Sequence, residues 1–286
     1  MAVRQAKAAL HRRLMSTFLN RQHRRYNGGK AEWWAERTFC FGRGFGEGQA
    51  ILSYEIVTPF QMNQYLLGCT KTGRACLIDT GDANASLETA KRFGFSIKFL
   101  LQTHAHLENV MGLPDIRRTF LHDVPMYIHR ADSPLYESLQ NQHGGKTGIM
   151  RVDKLSPPEN YLEDQQCITV GDVELKILHT PGHTPGHVSF YCEAHGFLIG
   201  GDLLFNGNIG RTDLHYCNKS AMNQSLRRVM NLPDETKVFP AHMMPTTIGK
   251  ERRSNPFLAR ALENEDRCNE LQLQRDRSVR GIECTV

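Results

Sequence analysis

His104 and His106 are separated by one residue and follow an apolar run, Ile97-Lys98-Phe99-Leu100-Leu101, that reads as a buried strand. Residues i and i+2 of an extended backbone point to the same side, so both imidazoles can reach one point in space. Three more segments further along the chain carry the same kinds of donor. They are Thr180-Pro181-Gly182-His183-Thr184-Pro185-Gly186-His187, then Gly200-Gly201-Asp202, then Phe239-Pro240-Ala241-His242. Imidazole nitrogens with a carboxylate are the donor set that zinc and neighbouring transition metals take. A lone His-x-His pair is weak evidence for a metal, and the ordered series His-x-His, His, Asp, His is much stronger.

These donors must be held by strands. The spacing of apolar residues and the Pro, Gly and Asp breaks predict strands at 51–57, 62–69, 75–79 and 97–102, each closing at a turn. A helix is expected over 84–94, ending at Gly94, and another around 110–120, interrupted by Pro114. Met126–His129 reads as a short strand, and 141–160 as a long polar loop flanking the site. The second half repeats the pattern, with strands at 167–170, 173–179, 188–192, 197–200 and 237–240 and a helix over 220–232. From Phe257 the chain is charged and helical in spacing to about Arg277. Strands in both halves with helices between and outside them imply an α/β (α+β) protein built in layers.

The order of these motifs resembles the metallo-β-lactamase-fold superfamily. It resembles most closely the short glyoxalase-II-like hydrolases, through Gly201-Asp202-Leu203-Leu204-Phe205, Gly210-Arg211-Thr212-Asp213-Leu214, Thr246 to Glu251 and Asn255-Pro256-Phe257-Leu258. The match runs from about Ile51 to Leu258. It implies a four-layer αβ/βα sandwich with a metal site along one edge of two sheets. It further implies that His104, His106 and His183 form one ligand set, that Asp202 bridges, and that His242 and Glu108 belong to a second set. Asp79, at the turn after Leu77-Ile78, would support the metal without binding it, and His187 and Asn109 are placed in the same supporting role. Glu108 and Asp202 are the expected catalytic carboxylates.

The family's central His-x-His-x-Asp-His reads His104-Ala105-His106-Leu107-Glu108-Asn109 here. Glu108 keeps a carboxylate but adds a methylene, and Asn109 offers a neutral amide oxygen where the family has an imidazole. Ala241 and Met243 replace the glycines that usually flank the last histidine. The expectation is one tightly held ion, zinc or alternatively iron, with a weak or empty second site. The resemblance implies a small-molecule hydroxyacyl thioester as substrate. The extended helical domain with which full-length glyoxalase II holds glutathione has no counterpart of that length, so glutathione specificity is not implied. The altered pair also admits a non-catalytic subunit of a mitochondrial assembly such as a ribonucleoprotein. A mononuclear iron persulfide dioxygenase, with His104, His183 and Asp202 as its triad, ranks third.

Residues 1–30 hold eight basic side chains and no acidic one, which leaves 27 basic against 30 acidic groups in the rest of the chain. The body is therefore not a nucleic-acid binder by charge. The segment has the Arg-rich, acid-free composition of a mitochondrial transit peptide, implying the matrix, or else is a basic arm that contacts a protein or RNA partner. Residues 31–50 read as a Gly- and aromatic-rich extension in loop conformation, 51–258 as the domain, and 259–286 as a helical tail. Eight scattered cysteines without a Cys-x-x-Cys pair read as reduced thiols. No apolar run nears the roughly 20 residues that cross a bilayer, so no membrane partner is expected.

Overall fold

The computed structural model describes residues 37–41, 50–57, 60–119, 123–142 and 155–263. The basic segment, Trp33-Trp34 and the tail beyond 263 lie outside the described residues. The first half builds a seven-stranded sheet in sequence order: β1 (Thr38–Phe41), β2 (Ala50–Val57), β3 (Met62–Cys69), β4 (Arg74–Ile78), β5 (Ser96–Leu101), β6 (Met126–His129) and β7 (Asn160–Leu162). The first four strands pair antiparallel, and β4 to β7 pair parallel. The second half builds a six-stranded sheet from β8 (Cys167–Val170), β9 (Val173–His179), β10 (Val188–Cys192), β11 (Phe197–Gly201), β14 (Lys237–Pro240) and β15 (Thr246–Thr247), in the order β15-β14-β11-β10-β9-β8. A hairpin of β12 (Leu204–Phe205) and β13 (Asn208–Ile209) sits between β11 and β14 in the chain.

The two-residue period of the strands sorts their side chains between layers. Tyr65, Leu67, Cys76 and Ile78 face one way and join Val173, Leu175, Ile177, Phe190 and Phe239 in the core between the sheets. Leu66, Ala75 and Leu77 face the other way and pack under the helices of the first half. These are α1 (Ala83–Phe93), α2 (Leu107–Val110), α3 (Leu113–Thr119) and α4 (Ser133–Glu137). Leu178, Tyr191, Leu198 and Val238 likewise leave the central core for the opposite face, under α5 (Lys219–Val229), α6 (Ile248–Ser254) and α7 (256–263). The result is the expected four-layer sandwich.

Capping explains where the helices begin and end. Asp82 accepts the N–H groups of Asn84 and Ala85, and Gly94 closes α1 in the left-handed region at φ 68°. Asn218 starts α5 by accepting the Ala221 N–H. The sequence places this helix over 220–232, but it closes at Val229 because 230–232 turn away.

The expected helix over 110–120 is two short helices. α2 begins directly after His106, and Pro114 falls in the first turn of α3, where a missing N–H costs nothing. Within the extension read as loop, Thr38–Phe41 is instead a strand, registered Thr38↔Ser53 to Phe41↔Ala50. Its glycine-rich flanks hide a run too short to announce itself, and pairing with β2 decides its conformation. Among the described residues no helix is long and apolar enough to cross a membrane.

Phe239 is the centre of the inter-sheet core. It lies edge-on to Phe39 at 4.8 Å between ring centres and contacts Tyr65, Phe41 and Phe197 at 6.2 Å each, with no exposure. Phe239→Ala is expected to cost about 3–5 kcal/mol of unfolding free energy in denaturant titration. A loss under about 1 kcal/mol would show that this cluster is not what joins the sheets.

Candidate metal centre

The donor residues leave the ends of strands that share one edge of the sandwich. β4 is followed by Asp79, β5 by the loop with Thr103–His106, β9 by Thr180–His187, β11 by Asp202 and β14 by Ala241-His242. Backbone bonds lace these ends together. Asp79 N–H donates to the Leu101 carbonyl at 3.0 Å, Val188 N–H to that of Thr103 at 2.8 Å, and Ala241 N–H to that of Gly201 at 3.0 Å. The Thr103–Val188 bond ties the first sheet's loop directly to the second sheet.

His104, His106, His183 and Asp202 are buried, and their ligand atoms lie within 4.8 Å of one another. His106 Nδ1 is 3.0 Å from both His104 Nε2 and His183 Nε2, and His183 Nε2 is 3.1 Å from Asp202 Oδ2. Each ring is oriented by a bond on its far side, and for His104 and His183 that bond also sets the tautomer. Thr103 Oγ1–H donates to Asp79 Oδ2 at 2.8 Å, so at His104 Nδ1, 2.9 Å away, it accepts, leaving the Nε2 lone pair facing inward. His183 Nδ1–H donates to the Arg211 carbonyl at 2.9 Å. His106 Nε2 bonds the Tyr216 hydroxyl, which turns Nδ1 toward the other rings. Three imidazole nitrogens and a carboxylate converge in a buried space, an arrangement that suits a cation.

The titration pattern agrees with that donor set. Burial, then the other imidazoles, drives His104 well below the usual range and His106 down to about 3, so both rings stay neutral and able to ligate. Burial also pulls on His183, but the Asp202 carboxylate more than offsets it and the pKa is raised. For Asp202 burial pushes upward, and His183, His104 and His242 outweigh it, so the group is held well below the usual carboxylate range. Asp202 Oδ1 is buried without a hydrogen-bond partner. A ligand atom left open in this way, beside three aligned imidazoles, fits a metal ion.

The other sequence-derived residues surround this group. His242 Nε2 stands 3.9 Å from Asp202 Oδ1, and Glu108 is half-buried on α2 within the electrostatic reach of Asp202 and His242. Neither belongs to the four. Burial raises the Glu108 pKa. Asn109 is fully buried, with its amide donating to Met62 Sδ at 3.9 Å and its Oδ1 unpartnered. His187 is committed elsewhere. Its Nε2 accepts the Asp202 N–H at 2.9 Å and its Nδ1 meets Thr180 Oγ1 at 2.9 Å, so it holds Asp202 in place. Gly201, at φ 55°, permits this because a Cβ there would stand 2.5 Å from His187 Nε2. Asp79 occupies the left-handed region at φ 56° and is buried, which pushes its pKa up to about 7 against the hydrogen bonds from Thr103 and Asn109. Tyr216 carried no signal in the sequence and Arg211 entered only as part of a family motif, since only the folded loop brings the hydroxyl and the carbonyl to His106 and His183.

A metal-binding edge on a four-layer sandwich defines a class of metalloprotein, and the comparisons identify the family within it. The profile of the Metallo-beta-lactamase superfamily matches residues 57–242. The chain is 32% identical over 203 residues to hydroxyacylglutathione hydrolase GloC of Haemophilus influenzae, spanning 71% of this chain and 95% of that protein. It is 33% identical over 206 residues to the probable metallo-hydrolase YqgX of Bacillus subtilis, spanning 71% and 94%. Among solved structures it is similar to the B3 metallo-beta-lactamase BLEG-1, with TM-score 0.67, 31% identity and coverage of 72% and 99%. It is also similar to TTHA1623 in a di-iron-bound form, with TM-score 0.62, 34% identity and coverage of 71% and 98%. The chain belongs to the metallo-beta-lactamase superfamily.

Tyr216 offers a direct check of how the rings are held. Tyr216→Phe removes the hydrogen-bond partner of His106 Nε2, the only one among the described residues, and zinc affinity in chelator competition is expected to fall about tenfold. Affinity within twofold of native would show that the hydroxyl does not orient His106.

Proposed function

We propose that this protein is a metal-dependent hydrolase of hydroxyacyl thioesters that works with one ion, zinc or alternatively iron. The convergence of His104, His106, His183 and Asp202 carries the reading. The name of the Haemophilus influenzae relative, a hydroxyacylglutathione hydrolase, supports the thioester class, and the di-iron form of TTHA1623 keeps iron open. A metal held by these four would supply Lewis acidity to the thioester carbonyl and lower the pKa of water.

The chain's own groups divide the remaining work. Asp202 stays ionised and aims Oδ1 toward His242. Glu108, its pKa raised by burial, is the carboxyl group placed to take and release a proton beside them. Asn109 argues for a single ion, because its amide is committed to Met62 and Asp79 and it has no imidazole to offer. The composition of residues 1–30 supports delivery to the mitochondrial matrix.

Elemental analysis of purified protein is expected to give about one equivalent of zinc or iron per chain, lost in His183→Ala and little changed in Asn109→Ala. Glu108→Asp with Asn109→His should together admit a second equivalent and speed hydrolysis of a model hydroxyacyl thioester, with each alone helping little because the ligands are coupled. Two equivalents in the native chain would refute the single-ion reading. No turnover by any form, metal bound, would favour the non-catalytic subunit.

Mass spectrometry of the mature protein is expected to find its N-terminus after about residue 26. A retained Met1 or Ala2 terminus would favour the basic arm.

A further inference from the structure

Asp132 is not among the four donor residues, yet it contacts both loops that supply the histidines. It stands at the N-cap of α4, where an aspartate ordinarily accepts the first N–H groups of its own helix, and it makes no such bond. The carboxylate is fully buried and turned the other way. Oδ2 accepts the Ala105 N–H at 2.9 Å and the Thr184 hydroxyl at 2.8 Å, and Oδ1 accepts the Gly186 N–H at 2.5 Å. Ala105 lies between His104 and His106, Thr184 follows His183, and Gly186 precedes His187. One carboxylate thus ties a loop of the first sheet to a loop of the second. Gly186 is shaped for this contact, since a Cβ there would stand 2.6 Å from the Asp132 backbone nitrogen and 2.8 Å from its Cγ.

We infer that Asp132 is a positioning residue for the metal centre, holding the His104–His106 and His183–His187 loops at the separation where their imidazoles meet. The inference rests on the metal-centre reading. A buried carboxylate is costly unless its lone pairs are used, and here three donors use them. Its helix does not need it as a cap. An amide of the same shape cannot replace it, because in either orientation the NH2 of asparagine would face a backbone N–H, of Ala105 or of Gly186, and leave it unpaired.

The test uses the full chain, stripped with a chelator. Asp132→Asn is titrated with zinc against a competing chelator and with Co(II), whose visible bands report ligand geometry. Zinc binding is expected to weaken 10- to 100-fold and the Co(II) bands to shift. Thr184→Val removes one of the three contacts, should show a smaller loss, and remains readable if Asp132→Asn fails to fold. Glu251→Gln is the control for mere burial. Glu251 is equally buried and accepts from Thr246, Gly207 and Asn255, none of which adjoins a donor residue. It should lower the unfolding midpoint and leave zinc affinity and the Co(II) bands unchanged. If the native chain binds zinc while Asp132→Asn and Thr184→Val both stay within twofold of it with native Co(II) bands, the clamp is wrong and the metal centre stands. A native chain that binds neither zinc nor Co(II) would overturn both.

Discussion

The inward ring nitrogens of His104, His106 and His183, packed about 3 Å apart beside an ionised carboxylate, need positive charge among them, from a metal ion or from the proton that Asp202 favours on His183. The surrounding structure serves that demand. Thr103, the Arg211 carbonyl and Tyr216 each occupy the outer nitrogen of one ring, so each ring keeps its other nitrogen inward. His187 fixes the backbone of Asp202, and Asp79 fixes Thr103. The strain of a non-glycine residue in the left-handed region at Asp79 is local to this network, where the neighbouring bonds hold it.

The sandwich makes this possible by delivering strand ends, not strand faces. β9, β11 and β14 run in the same direction in one sheet, as β4 and β5 do in the other, so their last residues meet along one edge. The side-chain alternation that buries Val173, Leu175 and Ile177 between the sheets stops where the ligand loops begin. Strands packed on the central core thereby place polar loops to within a hydrogen-bond length.

Much of this was legible in the chain. Met62–Cys69, Met126–His129, Val173–His179 and Val188–Cys192 follow from apolar alternation bounded by turn residues, because burial on one or both faces leaves that imprint. The four central donors follow from residue type and order. The strand at Thr38–Phe41, the two-residue strands of the β12–β13 hairpin and the break between α2 and α3 were not legible, since tertiary pairing and not local preference sets them. Tyr216 and Asp132 escaped for a different reason. A tyrosine in a polar loop and an aspartate at a helix start both have ordinary local explanations, and only contacts more than 25 residues away give them another.

The edge strand β1 has a consequence for how the chain can be trimmed. Phe39 and Phe41 reach across to Phe239, and Thr38 through Phe41 pair in full with β2. A cut ahead of Arg37 leaves every described strand of this sheet in place. A cut a few residues later would strip an aromatic pair from the central core and expose the hydrogen-bonding edge of β2, an opening for self-association. β1 thus marks how far the chain can be shortened from this side before the described core is opened.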